Sequence, residues 1–237
     1  MTSFIDQRVL VVGGSSGIGL ATAQAFVRAG AKVTIASRSL PKLQVAAEQV
    51  AGQVGIAALD MTSDADVESF FAKAGEWDHI VISAAQTATG AVRTLALEDA
   101  YSAMNSKFWG AYRIARAARF APNASLTFVS GFLSVRPSSR SVLQGAINAA
   151  LEALARGLAL ELSPVRVNTV SPGLIVTPLW DKFAEADRLQ MFDKVAASLP
   201  AKRVGQPEDI ANAVLYLAGT PFSTGSTVLV DGGGAIG

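Results

Sequence analysis

The sequence predicts a parallel β-sheet covered on both faces by helices, a doubly wound α/β architecture. Short β-rich runs alternate with helical stretches along the whole chain, the pattern that builds parallel sheets through crossover helices. Runs such as Val9-Leu10-Val11-Val12 are unbroken and apolar, as strands buried on both faces must be. That first run leads through Gly13-Gly14-Ser15-Ser16-Gly17-Ile18-Gly19 into a helical stretch. Glycines admit a close backbone approach, and the first N–H groups of a helix have no internal partner, so such a turn suits a phosphate. Its spacing is Gly-x-x-x-Gly-x-Gly and differs from the commoner Gly-x-Gly-x-x-Gly fingerprint.

The elements follow in order. Arg8–Val12 reads as a strand and Leu20–Ala29 as a helix closed by Gly30. Lys32–Ala36 is the second strand, and Pro41–Val50 a helix with Pro in its first turn, where it is tolerated. Gly55–Leu59 is the third strand, and Ser63–Ala74 a helix capped by Ser63 or Asp64. His79–Ile82 is the fourth strand, Leu97–Ala118 a long helix, and Ser125–Val129 the fifth strand. Ser141–Leu162 is a second long helix, rich in Ala and Leu, and Val165–Val170 the sixth strand. Helices at Ala184–Ala197 and Pro207–Ala218 precede a last strand at Thr227–Val230. With no linker, repeat or low-complexity segment, residues 1–237 are expected to form one domain.

Composition narrows the function. Half of the 237 residues are hydrophobic, enough for a sizeable core. A net charge of +1 gives no electrostatic case for nucleic acid or an anionic membrane. The chain has no Cys and one His, so a disulfide, a thiolate nucleophile and a Cys or His-rich metal site are excluded; no metal is expected. Met1–Arg8 lacks the basic start and apolar centre of a signal peptide. The longest charge-free stretch is broken by Gly219-Thr220-Pro221 and does not read as a membrane span. A cytoplasmic protein is expected.

Ligands of open parallel sheets sit beyond the carboxyl ends of the strands. Here those ends are Gly13–Gly19, Ser37-Arg38, Asp60, Ser83–Ala85, Ser130–Ser134 and Ser171–Thr177. The glycine turn, Leu59-Asp60-Met61-Thr62, the stretch 160–168, Ser171-Pro172-Gly173, Gln206-Pro207-Glu208-Asp209-Ile210-Ala211 and Val230-Asp231-Gly232-Gly233 resemble the short-chain dehydrogenase/reductase family. The likeness covers almost the whole chain. It implies a Rossmann-like sheet of about seven strands and a nicotinamide dinucleotide as ligand.

The resemblance also implies roles. Asp60 matches the acceptor for the adenine amine, with Met61 beside it. Ser83-Ala84-Ala85 stands where the family usually has Asn-Ala-Gly, so Ala84 keeps a backbone contact while the Asn side chain is lost. Pro172, Gly173, Ile175 and Thr177 resemble the stretch that holds the nicotinamide carboxamide, and 178–200 the substrate-covering segment. The second strand ends Ala36-Ser37-Arg38-Ser39, with no acid for ribose hydroxyls. Ser37 can donate a hydrogen bond and Arg38 offers a planar fork to a 2′-phosphate, so NADP(H) is expected over NAD(H).

The family's catalytic set is a Ser, a Tyr-x-x-x-Lys pair and an Asn on the preceding long helix. The register of Ala149-Ala150-Leu151-Glu152-Ala153-Leu154 places Gln144 at the Tyr position and Asn148 at the Lys position. No Tyr lies between Tyr112 and Tyr216, and no Lys between Lys107 and Lys182. Gly131 falls at the Ser position, with Ser130 and Ser134 the nearest hydroxyls. Lys107-Phe108-Trp109-Gly110 matches an Asn-x-x-Gly stretch, which puts Lys107 at the Asn position. Asn and Lys are thus exchanged between the two helices. The candidate catalytic residues are Lys107, Ser130, Gln144 and Asn148. Gln itself is no general acid at neutral pH.

His79, at the far end of its strand, is expected to be structural, and Arg136 and Arg140 to be solvated loop charges. The expected function is NADPH-dependent hydride transfer to or from a small carbonyl or alcohol with a non-standard site. The alternative is a catalytically silent NADP(H)-binding protein acting as a sensor or assembly partner. By the resemblance, the two long helices imply a homodimer or homotetramer.

Overall fold

The computed structural model describes residues 4–85 and 88–237; residues 1–3, which open the stretch read above for a signal peptide, and 86–87 lie outside the described residues. Strands β1 (Arg8–Val12), β2 (Lys32–Ser37), β3 (Val54–Ala58), β4 (Trp77–Ile82), β5 (Phe120–Val129), β6 (Arg166–Pro172) and β7 (Thr227–Val230) form one sheet in the order β3-β2-β1-β4-β5-β6-β7. Every pairing is parallel. The chain order reverses between β1 and β4, the switch point where a ligand crevice opens in such sheets. This is the Rossmann-like fold expected.

Helices α1 (Gly17–Arg28), α2 (Leu40–Glu48), α3 (Asp64–Ala74), α4 (Leu97–Met104), α5 (Gly110–Ala117), α6 (Val142–Glu161), α7 (Glu185–Ser198) and α8 (Pro207–Gly219) surround the sheet. Alternate residues of one strand reach different cores. Leu10 and Val12 pack with Phe71, Ile114 and Leu151 under α3, α5 and α6. Val9 and Val11 pack with Phe26, Ile210 and Val214 under α1 and α8. That two-sided burial explains the unbroken apolar run of β1.

Three expectations are corrected. The helix expected over Leu97–Ala118 is interrupted by a π-helical turn, Asn105–Trp109, in which the Gly110 N–H bonds the carbonyl of Asn105. The fifth strand starts at Phe120 rather than Ser125: Phe120 pairs with Trp77 of β4, and an irregular stretch that includes Asn123, with its positive φ of 63°, separates that pair from Ser125 with His79. The first helix starts at Gly17, inside the glycine turn, and not at Leu20. Elsewhere the observed bounds lie within two residues of those expected, and those of β1 and β7 coincide with them. Ser63, not Asp64, caps α3 by accepting from the Asp66 N–H.

The sheet's amino end is held by polar groups. His79 is buried, its Nδ1 2.8 Å from Ser125 Oγ and its Nε2 2.8 Å from Gln7 Oε1, and its ring stacks on Phe26. Arg166 is also buried and donates to the carbonyls of Leu217, Ala218 and Thr220, which close α8. Burial, with the nearby Arg166 charge, pushes the His79 pKa down to about 4, against a smaller opposing pull from Asp78.

A neutral His79 therefore contributes stability that is fully present above its ordinary pKa of 6.5 and is lost as pH falls towards 4. Urea denaturation at pH 7 and pH 5 should show a loss of roughly 2 kcal/mol, and His79→Asn should flatten that difference.

Candidate active site

The carboxyl ends of the strands enclose a cavity of about 1060 Å³. The glycine turn supplies one wall through Gly13, Ser15, Ser16, Gly17, Ile18 and Gly19. Ser16 occupies the N-cap of α1 without a capping hydrogen bond, and the first turn carries no acid. Ser39 caps α2, Ser63 caps α3, and Gln206 with Asp209 forms a capping box on α8, whereas α4, α6 and α7 also start without a side-chain cap. The α1 terminus thus keeps its amides and positive dipole end for an anion. A Cβ at Gly19 would lie 2.2 Å from the Gly13 carbonyl oxygen and 2.6 Å from Ser83 Oγ. The residues therefore fit a dinucleotide pyrophosphate: an uncapped helix start beside a turn that only glycine closes.

Further along, Ser37 and Arg38 line the cavity at the end of β2. Asp60 and Met61 follow at the end of β3. Asp60 accepts from the Thr62 amide at 2.9 Å and the Thr62 hydroxyl at 2.7 Å. Burial raises its pKa, but these hydrogen bonds, with the fields of Arg38 and Arg113, outweigh burial and hold the carboxyl below its usual range. Ser83 and Ala84 hook onto β1, both amides donating to the Val12 carbonyl at 2.9 and 3.0 Å. Pro172, Gly173, Ile175 and Thr177 line the wall beyond β6. In segment 178–200, Trp180 also lines the cavity, its Nε1 donating to the Ile175 carbonyl at 2.8 Å.

The four candidate catalytic residues meet in the same cavity. Lys107 projects from the π-helical turn, an irregularity frequent at functional sites. It is 6% exposed, and its Nζ donates to the Ser130 carbonyl at 2.7 Å and to Asn148 Oδ1 at 2.7 Å. Burial pushes its pKa down to about 8, partly offset by the field of Glu152. Among the described residues, two of its three ammonium donors have these protein partners. Gln144 lines the cavity one turn before Asn148 on α6. Of the two loop arginines expected to be solvated, Arg140 lines the cavity, whereas Arg136 donates to the Gly237 carbonyl.

One residue extends the site beyond the sequence reading, and a second, Gly131, gains a physical reason. Glu152 is buried, and its Oε1 accepts from Ser130 Oγ at 2.8 Å and from Ser134 Oγ at 2.7 Å. Its signal was a lone acid on the α6 face that carries Ile147, Leu151, Ala155 and Leu158. Gly131 matters for its missing side chain: a Cβ there would lie 2.7 Å from Asn148 Nδ2. Among the described residues no group of His, Cys, Asp and Glu is placed to hold a metal ion. No helix among them is long and apolar enough to cross a membrane.

A parallel sheet with a phosphate-ready glycine turn at its switch point defines a dinucleotide-binding α/β protein. The family model described as enoyl-(acyl carrier protein) reductase matches residues 12–234. The chain is 34% identical to the short-chain dehydrogenase/reductase ATR9 of Stachybotrys chlorohalonatus over 98% of both chains. It belongs to the short-chain dehydrogenase/reductase family. Among solved structures it is similar to a small-chain dehydrogenase in complex with NADPH, at 31% identity and a TM-score of 0.84, over 98% of this chain and 100% of that one. It is also similar to the L-sorbose reductase of Gluconobacter frateurii complexed with NADPH and L-sorbose, at 27% identity and a TM-score of 0.88, over 100% and 99% of the two chains.

Because the Asn148 amide fills the space beside Gly131, Gly131→Ser should destabilise the chain by about 1–3 kcal/mol in chemical denaturation. Ser134→Ala, which removes one of two bonds to Glu152, should cost less, about 1 kcal/mol.

Proposed function

We propose that the protein is an NADP(H)-dependent oxidoreductase acting on a small carbonyl or alcohol, with Lys107 as the positive group at its reacting centre. The observation that carries this reading is the Lys107 ammonium, buried at the cavity wall between Ser130 and Asn148. Gln144 and Asn148 occupy the positions that the family resemblance assigns to Tyr and Lys, so the usual pair is missing and Lys107 takes over its charge. The NADPH-bound neighbours and the Ser37-Arg38 end of β2 support NADP(H) over NAD(H).

In this reading the glycine turn and the α1 terminus bind the pyrophosphate. Asp60 and Met61 border the adenine, Arg38 meets the 2′-phosphate, and Pro172–Thr177 borders the nicotinamide. The bound dinucleotide supplies or accepts a hydride. The chain handles the oxygen and its proton. Ser130 and Asn148 hold two Lys107 N–H groups, and the third donates to the substrate oxygen. As negative charge grows on that oxygen during reduction, Lys107 stabilises it and yields a proton; in oxidation it accepts one. A preorganised donor of this kind contributes on the order of 3 kcal/mol. Gln144 orients the substrate through its amide. Segment 178–200 covers the substrate, with Trp180 on the cavity wall. Exposed Tyr101, Trp109 and Tyr112 on the long α4–α5 element suit association into a homodimer or homotetramer.

NADPH fluorescence titration followed by an oxidation assay over a carbonyl panel tests this reading. Lys107→Ala should lower kcat/KM by about 10²–10³-fold with NADPH affinity retained. Binding without turnover on any substrate would favour the silent binding protein instead. Arg38→Ala should weaken NADPH by tenfold or more, about 1.4 kcal/mol, and leave NADH affinity unchanged. Because Lys107 titrates near 8, reduction should be fastest below that pH and decline above it, whereas oxidation should rise to a plateau above it.

A further inference from the structure

Among the described residues, the hydrogen-bond partners of the Lys107 ammonium are neutral: the Ser130 carbonyl and the Asn148 side chain. A buried ammonium without a counter-charge loses its proton readily. The elements packed around the π-helical turn bring Ser130 from just past β5, and Asn148 and Glu152 from α6. Arg113, on the outer side, turns to Asp64 and the Asn105 carbonyl, and Arg140 lies on the cavity wall. Among these groups Glu152 carries the negative charge whose field reaches Lys107. It lies four residues after Asn148, on the same helix face. Ser130 joins the two: its carbonyl accepts from Lys107, and its hydroxyl donates to Glu152.

We propose that Glu152 is the positioning residue of this site: its carboxylate clamps Ser130 and Ser134, and its charge keeps the Lys107 ammonium protonated where water is excluded. The proposal rests on reading Lys107 as the cation of the reacting centre. It assigns Glu152 two separable tasks. Glu152→Gln keeps the side-chain volume and an acceptor oxygen for both hydroxyls and removes only the charge. Glu152→Asp keeps the charge and shortens the reach.

The test is a pH titration of the full chain by NMR of lysine side-chain nitrogen, with Lys107→Arg assigning the signal. NADPH affinity reports that each variant is folded. In Glu152→Gln the Lys107 midpoint should fall by about one pH unit, a tenfold loss of proton affinity, and in Glu152→Asp it should stay near the wild-type value. An unmoved midpoint in folded Glu152→Gln overturns the proposal. If that variant does not fold, Glu152→Asn against Glu152→Asp makes the same charge comparison at equal side-chain length, and equal Lys107 midpoints in that pair overturn the proposal. If Lys107→Ala retains full turnover, the reading of Lys107 as the reacting cation fails, whatever these titrations give.

Discussion

The proposed active site depends on burying one ammonium group. Lys107 gives up its hydration for a carbonyl and an amide oxygen, and the exchange is incomplete, since burial brings its pKa from 10.5 to about 8. The unfolded chain takes up that proton more readily, so stability falls as pH drops from 10.5 towards 8 and the full cost, about 3 kcal/mol, is present below. A fold that only needed to fill this volume would use an apolar residue. The local geometry follows from the ammonium. The π-helical turn carries it, Asn148 meets it, Gly131 leaves room for the Asn148 amide, and Glu152 sits one turn further along α6.

The parallel sheet explains why this cluster and the glycine turn share a cavity. With every strand running the same way, all carboxyl ends meet on one side. Polar residues there point into the cavity, and α1 starts among them without a cap. The opposite end is treated differently. His79 is held neutral between Gln7 and Ser125, and the Arg166 guanidinium is spent on the last carbonyls of α8. Buried titratable groups thus occur at both ends of the sheet, and the cluster at the carboxyl end opens on a cavity large enough for a dinucleotide and a small substrate.

Much of this was legible in the residues because the strands are buried on both faces and leave continuous apolar runs, and because a glycine turn between strand and helix has few other uses. The meeting of Lys107 and Asn148 was legible through the family resemblance, which placed them at exchanged positions on the two long helices. Three features were not. The π-helical turn differs from the α-helix by one residue in hydrogen-bond register, which leaves no mark in composition. The early start of β5 was hidden because Pro122 and Asn123 read as turn residues. Glu152 was hidden by its helix: an acid among alanines and leucines reads as a solvated face until packing shows that the face is buried and that Ser130 and Ser134 reach it.

The same packing constrains how this site can be exchanged for the arrangement that the family resemblance implies. Asn148→Lys alone would bring a second ammonium against Lys107, in surroundings that already penalise one. The two charges would disfavour each other, and the Lys107 N–H would lose its Asn148 acceptor. Gly131→Ser alone would press a side chain into the Asn148 amide. Each change becomes tolerable once the others are made: an Asn at position 107 removes the repulsion, and a Lys at 148 withdraws the amide that blocks a serine at 131. Positions 107, 131 and 148 are therefore one unit of packing and charge, with substitutions at them coupled rather than additive. On the reading proposed above, the exchange of Lys and Asn between two helices is then a single alteration of the site, and the glycine at 131 is part of it.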